Sequence, residues 1–240
     1  MLAASPFRIL LLASAAVAVL ATLPAASGGE APIDLAGVTA VRITGESSEV
    51  RLSAGAAAPP RATFGSRRTG WFARWSSSWV GSACPDRASA RIEGETLIVD
   101  VGAAGWLDLS DCVAEIDASL PAGASVVLDQ PAASLNLDGD FGDVTVRARA
   151  ADLSLDGHAA TIAVESDAAR TRIAFARVEG TEDVRLTGKA MDAQLSFPAG
   201  VPVSWRVTAA ASFVDGRIPN TPGARPQVAI DGEFVRATIR

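Results

Sequence analysis

Aspartates at the ends of short apolar runs are the residues of this chain with the clearest potential for chemistry. Four of them directly precede the first apolar residue of a run, and others follow a run just before a glycine. Carboxylates at stacked turns could bind a divalent cation, and the densest group is Asp138, Asp140 and Asp143. Aspartate also hydrogen-bonds nearby backbone at tight turns, which fits the neighbouring glycines better. We therefore predict no metal and no other cofactor, and these three aspartates are the only candidate ligands.

Residues for acid–base or nucleophilic catalysis are scarce. A hydrolase or lyase needs two acids at a defined separation, or a metal with a basic residue beside it. Lys189 is the only lysine, and His158, the only histidine, follows an Asp-Gly turn. Nucleophile-elbow, phosphate-loop and dinucleotide signatures are absent from the sequence. The sequence thus favours a protein without catalytic activity, with a carbohydrate-active enzyme as the alternative.

The segment from residue 67 to residue 79 is rich in arginine and tryptophan. Three of the five tryptophans lie here, four residues apart, so they share one face of a strand or a helix. Tryptophan can stack on sugars or fill a partner's pocket, and arginine can pair with anions. The same side chains could instead cap an open end of the fold, which is the interpretation we favour. The residues of this candidate binding or cap patch are Arg67, Arg68, Trp71, Phe72, Arg74, Trp75 and Trp79.

Cys84 and Cys112 are the only cysteines. In an oxidising compartment two cysteines are most simply one disulfide, and a metal site usually needs more ligands than one histidine could add. We predict a bridge between them, which would stabilise the fold by about 3–4 kcal/mol. Cys84 lies just beyond the tryptophans, so the bridge could hold that segment against the strand that starts at Cys112.

Residues 1–27 have the pattern of a secretory signal peptide. Arg8 is the only charge, an apolar run extends from Ile9 to Leu23, and small residues follow up to Ser27. The run of about 15 residues is shorter than the ~20 that span a bilayer. We predict cleavage near Ser27 and no stable membrane span in the mature chain.

The charge of the mature chain argues against one class of partner. Removal of one arginine leaves 20 basic and 27 acidic residues, a net charge of −7. A mildly acidic protein is not suited to general binding of nucleic acid or anionic lipid, so we predict no nucleic-acid partner.

Alternation of apolar and polar residues, typical of β-strands, dominates the mature chain. Residues 31–123 read as an irregular set of strands with a hairpin, interrupted by the Trp/Arg-rich insertion at 61–88. A repeat region follows at 124–219, in which strands recur every nine and later about eleven residues, and a C-terminal strand occupies 226–240. The predicted strand centres are Val126, Leu135, Val144, Leu153, Ile162, Ile173, Val184 and Leu195.

An internal match identifies the architecture of the repeat. Residues 135–139 (LNLDG) match residues 153–157 (LSLDG) at an offset of 18. One such short coil cannot bury its apolar face alone, but coils stacked about 4.8 Å apart close a continuous core. The pattern predicts an all-β fold, a short single-stranded β-helix or β-solenoid. An antiparallel β-sandwich is the alternative, because strands at this spacing also suit that fold.

Several short segments share a pattern with a known family. They are Gly94–Val99, Leu120–Gly123, Phe141–Val144, Glu182–Val184 and Phe197–Gly200. Through them the sequence resembles the bacterial putative-adhesin family across residues 38–219. The chain departs from the family pattern where later repeats lack glycine before aspartate, and in the insertion at 61–88. The resemblance implies a right-handed β-helix and an exported surface or envelope function, without a defined ligand.

These patterns together predict a single domain at 28–240, exported to the periplasm or to the cell surface. We expect a non-enzymatic, adhesin-like structural or interaction domain of the bacterial envelope, whose partner is an unknown envelope protein or glycan. Two alternatives stay open: a carbohydrate-active β-helix hydrolase or lyase, and a periplasmic accessory factor in envelope assembly.

Overall fold

The computed structural model describes residues 32–56, 58–68, 84, 86–103 and 112–240. In these residues all the regular secondary structure is β-strand, and the eleven strands belong to one sheet. Across the described ranges, no helix is long and apolar enough to cross a bilayer. The strands are β1 (Ile33–Asp34), β2 (Ala40–Gly45), β3 (Ser48–Ala54), β4 (Arg61–Arg68), β5 (Ala88–Glu93), β6 (Thr96–Val101), β7 (Cys112–Leu120), β8 (Ala124–Phe175), β9 (Asp183–Ser196), β10 (Ser204–Gly216) and β11 (Gln227–Ile239).

The predicted alternation sets which side chains face the core. In β3, Val50 and Leu52 are buried while Arg51 between them is exposed. All eight predicted repeat centres are buried, and all lie in strands longer than the sequence predicted, six in β8 and two in β9. Because successive side chains of a strand point to opposite faces, a two-residue period places one apolar row inside. Each Val, Leu or Ile fully buried in this way contributes about 1.5–3 kcal/mol.

Parallel pairing dominates the stack. β8 pairs with β9 from Thr161↔Asp183 to Ala174↔Ser196, a constant offset of 22 residues. The pairs of β9 with β11 and of β11 with β10 are parallel too. This is not the pairing of an antiparallel sandwich, the alternative that strand spacing left open.

β8 is assigned as one strand of 52 residues, which fully extended would measure about 170 Å. It folds back on itself instead. A Cβ added to Gly157 would meet the carbonyl oxygen of Gly139 at 2.1 Å, and Arg147 reaches Glu165 at 3.7 Å. Each length of the chain that runs once along the sheet before folding back is one pass. Equivalent residues of neighbouring passes are therefore 18 apart, which is the offset of the internal sequence match.

The strand segments fall into two columns. The first column contains β6, β2, the early part of each β8 pass, and the first halves of β9, β11 and β10. The second contains β7, β3, the later part of each pass, and the second halves of the same strands. The regular stack thus begins at residue 40, whereas the sequence predicted an irregular arrangement up to residue 123.

Spatial order departs from chain order at both ends of the stack. β2 lies between β6 and β8, and β3 lies between β7 and β8, although β6 and β7 come later than β2 and β3. β11 lies between β9 and β10. At the end near β6 and β7, β5 and β4 add antiparallel strands. At the other end, β10 is the outermost described strand.

Candidate functional site

A shallow groove of about 940 Å³ runs along the turn that joins the two columns. It crosses successive passes of the chain, from β3 at one end to β10 at the other. At each pass the position that lines its floor is small, except in β11. The residues at this position are Ser47, Ala132, Ala150, Ala168, Ala190, Ala211 and Phe234.

Strand register brings these residues together. Ala168 pairs with Ala190, Ala190 with Phe234, and Phe234 with Ala211. The following residue of each pass points into the core, as Ala169 and Met191 do. A small side chain at the turn leaves an open channel on the surface, which repetition at every pass extends along the molecule.

Two exposed phenylalanines lie at one end of the groove. Phe213 is 66% exposed and Phe234 is 63% exposed. Of the large hydrophobic side chains in the described residues, only Ile92 shares this exposure. A patch that combines large exposed rings with a continuous small-residue floor is typical of an interaction surface.

The rim of the groove has charges of alternating sign. Asp152, Arg170, Asp192 and Arg236 occupy one row on successive passes. Arg170 lies 3.7 Å from Asp192, and Arg172, two residues further along the strand, lies 3.3 Å from Asp152. Because opposite charges neutralise one another along the rim, this surface suits a neutral or partly apolar ligand better than a strongly charged one.

The three candidate metal ligands are not brought together. Asp140 pairs with Arg177 at 3.1 Å, while Asp138 and Asp143 lie on opposite sides of the turn at Gly139. Among the described residues, no group of three or more His, Cys, Asp or Glu side chains is placed to hold a metal ion. The aspartates of the turns therefore form no shared site there.

Two residues of the Trp/Arg-rich patch are described, and both end β4. Arg67 donates a hydrogen bond to Glu115 at 2.6 Å and another to Glu49. Hydrogen bonds to these two carboxylates raise the pKa of the Arg67 guanidinium above its ordinary value. Arg68 lies opposite Cys112 in the register of β4 with β7. Trp71, Phe72, Arg74, Trp75 and Trp79 lie outside the described residues.

The predicted bridge between Cys84 and Cys112 is confirmed. Cys112 is the first residue of β7, and β7 pairs with β4. The disulfide therefore joins the later part of the insertion at 61–88 to β7, the strand on which β4 lies.

Sequence analysis missed a buried carboxylate, Glu182, beside His158. Glu182 is fully buried and accepts hydrogen bonds from the backbone N–H groups of Glu179, Gly180 and Thr181, the last two at 3.0 and 3.1 Å. Its Oε1 lies 3.2 Å from Nε2 of His158, which is also buried. Burial raises the pKa of Glu182, but the backbone donors and His158 outweigh that effect and lower it. The pair fixes the turn before β9 and has no opening to the groove.

Comparison with known proteins gives distant structural neighbours. A putative cell adhesion protein from Clostridium sporogenes aligns with a TM-score of 0.42 at 11% identity, over 88% of this chain and 98% of its own. A putative adhesin from Bacteroides fragilis aligns with a TM-score of 0.27 at 7% identity, over 87% and 94%. Both are consistent with the putative-adhesin family that the sequence resembles, although at these TM-scores neither likeness supports a functional inference. No family model and no curated protein matches the chain.

Proposed function

We propose that this protein is an exported, non-enzymatic, adhesin-like interaction domain of the bacterial envelope. The observation that carries the proposal is the groove, whose small-residue floor ends at the exposed rings of Phe213 and Phe234. Exposed apolar surface is costly in water unless a partner covers it, so contiguous patches mark contact sites.

The scaffold in this proposal is a right-handed β-solenoid. Constant parallel offsets of 18 and 22 residues support it, because they are the lengths of successive coils. Right-handedness follows from the strong preference of parallel crossovers for that hand. A stack of equivalent coils provides a long, straight surface, which suits an extended ligand.

The ligand class follows from the chemistry of the groove. Alanine floors, a neutralised charged rim and two aromatic rings suit an extended segment of an envelope protein or a neutral glycan chain. Aromatic rings can stack on sugar faces or on apolar side chains with little loss of conformational entropy. Carboxylates of the rim are engaged with arginines, as Asp192 is with Arg170, which favours a contact role over an acid–base role.

Export and domain layout complete the proposal. Residues 1–27 act as the signal peptide and residues 28–240 form one domain in the periplasm or at the cell surface. The disulfide between Cys84 and Cys112 supports this, because such bonds persist in oxidising compartments.

The Trp/Arg-rich segment acts in this proposal as a cap. β4, which leads into it, lies antiparallel on β7, and Arg67 is held between Glu49 and Glu115. These contacts engage the described arginines within the fold, as expected of a segment that covers the end of the stack.

A groove-filling experiment tests the proposed contact surface. Ala150→Lys and Ala168→Lys, combined in one chain, place two long charged side chains on the exposed floor of the groove. We expect binding of the purified protein to envelope fragments, measured by co-sedimentation, to fall at least about tenfold, because a lysine cannot be desolvated there without a partner.

Ala122→Lys is the matched control, since Ala122 is an exposed alanine at the opposite turn, after β7. It should bind as the unchanged protein does. Equal binding by the double variant and the unchanged protein, with equal melting temperatures, would exclude the groove as the contact surface. Turnover of envelope glycan by the unchanged protein would reject the non-enzymatic assignment.

A further inference from the structure

β10 is an edge strand of the sheet, and only one of its two sides is paired in the described part of the chain. One side of β10 pairs with β11 along its length, from Ser204↔Gln227 to Gly216↔Ile239. No described strand pairs with its other side. At the opposite end of the stack, β4 and β5 extend the sheet with antiparallel strands. An open edge presents unpaired N–H and C=O groups, which another strand can satisfy.

The sequence of β10 lacks the devices that usually protect an edge. The eight residues from Val207 to Val214 contain no charge and no proline. Phe213 within this run is largely exposed, and Val207 and Val214 are half-buried at the open end of the core. The outer strand β5 differs, because Arg91 and Glu93 form an ion pair on it. Uncharged strands at an edge favour pairing with a further strand.

Backbone hydrogen bonds show which groups face the open edge. The Ser204 N–H donates toward β11, to the carbonyl of Pro226 at 3.0 Å. The next N–H, that of Trp205, points away from β11 and donates to Oδ1 of Asn220 at 3.0 Å. Asn220 also bridges Val203, so the segment around it covers only the beginning of the edge. The edge from Arg206 to Asp215 is left open.

Antiparallel pairing of this edge with the same edge of a second copy satisfies three requirements in one register: the core-facing side chains meet, the backbone hydrogen-bonding groups face each other, and opposite charges pair. Val207 then lies opposite Val214 and Ala209 opposite Ser212, which joins the core-facing rows of the two copies. The backbone groups of these core-facing residues point to the open edge, as those of Trp205 do.

The same register places Arg206 opposite Asp215 on the outer face, and two-fold symmetry forms this pair twice. Arg206 makes no ion pair with another described residue. Asp215 pairs with Arg217 through Oδ2 at 3.2 Å, so its other oxygen is available.

We propose that the protein forms a two-fold symmetric dimer by antiparallel pairing of β10 with β10 of a second copy. A second copy is the partner because the sequence of β10 is complementary to itself when two copies pair antiparallel. The uncharged run meets the uncharged run, and the charges at its two ends, which are opposite in sign, meet each other. In this interface each contact between the two copies occurs twice, related by the two-fold axis. Such an interface is isologous and closes after two subunits. The dimer would join two grooves at their phenylalanine ends.

Substitutions that reverse the charge at Arg206 or at Asp215 test the dimer. R206D places two carboxylates opposite each other, and D215R places two guanidinium groups opposite each other. We expect the unchanged protein, purified after normal processing of the full chain, to have twice the monomer mass by sedimentation equilibrium. Each single variant should raise the dimer dissociation constant by at least about tenfold, and the double variant R206D/D215R should restore it.

Arg42→Asp is the matched control, because Arg42 is an exposed arginine on β2, far from β10 along the stack. It should leave the dimer unchanged, and melting temperatures of all variants identify any that fail to fold. A monomer at all concentrations would overturn the proposal. So would open-ended filaments, or a double variant that stays as weak as the single ones. None of these results bears on the groove, because ligand binding is measured separately.

Discussion

Glu182 shows how one buried residue can fix a turn. A fully buried carboxylate is costly unless several donors satisfy it. Here three consecutive backbone N–H groups and His158 do so, and they hold the segment that leads into β9. Both residues are buried, so we assign the pair a structural role in the turn.

We expect Glu182 to make stability depend on pH in the acid range. Its pKa is lowered in the folded protein, so its contribution is complete above the pKa of the unfolded chain and is lost as pH falls through the folded pKa. Glu182→Gln should lower the free energy of unfolding at neutral pH by about 1–3 kcal/mol and flatten its decline on acidification. Urea unfolding at a series of pH values measures both.

Glu165→Gln is the matched control, because the Glu165 side chain is 76% exposed and, among the residues described, forms an ion pair with Arg147 alone, at 3.7 Å. It should change stability by a few tenths of a kcal/mol. An equally small change for Glu182→Gln would contradict the role given to the turn.

At the scale of the strands, close packing of one pass against the next requires glycine at certain positions. Gly139 and Gly157 have φ values of +100° and +142°, and each lies tight against the carbonyl oxygen of the neighbouring pass. The sequence match that revealed the repeat contains both glycines. Their recurrence within the repeat therefore has a steric cause, the close approach of neighbouring passes of the chain.

Gly157→Ala should destabilise the protein by about 2–4 kcal/mol, because the new Cβ would meet the oxygen of Gly139 at 2.1 Å in a strained backbone conformation. Gly65→Ala should leave stability within about 0.5 kcal/mol, because no described residue beyond its two chain neighbours lies within 4 Å of the position that its new methyl group would occupy. Thermal unfolding of both variants distinguishes a steric requirement from a general loss of chain flexibility, which would affect them alike.

Most strands could be predicted from sequence, because alternation directly encodes the buried face. Val50, Leu135 and Leu153 lie in the core as their patterns require. The hairpin expected within residues 31–123 is formed by β5 and β6, with Gly94 and Glu95 at its turn. Pairing partners were harder, since a two-residue period gives the face of a strand but not its neighbour. No local signal shows that β2 inserts between β6 and β8, or that β11 precedes β10 in the stack.

The candidate site was largely unpredictable for a related reason. An alanine such as Ala168 has no chemical signature, and its meaning arises only when register places it beside Ala190 and Phe234. The sequence drew attention to tryptophans and aspartates, whose chemistry is visible in isolation. The disulfide was predictable, because two thiols in a chain with the pattern of a signal peptide have few alternatives.

For the whole molecule, the disulfide links the insertion to the covered end of the stack. We expect Cys84 and Cys112 to resist alkylation in the native, unreduced protein and to react after reduction. Reduction should lower the free energy of unfolding by about 3–4 kcal/mol, since the closed loop restricts the unfolded chain. Quantitative labelling without a reductant would contradict the bridge. Unchanged melting after reduction would show that it contributes no stability.

The position of β11 between β9 and β10 imposes an order on assembly. During synthesis β10 emerges first, yet β11, the only described strand beside it, has not been made. β10 therefore lacks this neighbour until β11 has docked on β9. The nascent chain cannot add these strands to the stack in the order of synthesis, and β11 acts as the template for a strand completed before it.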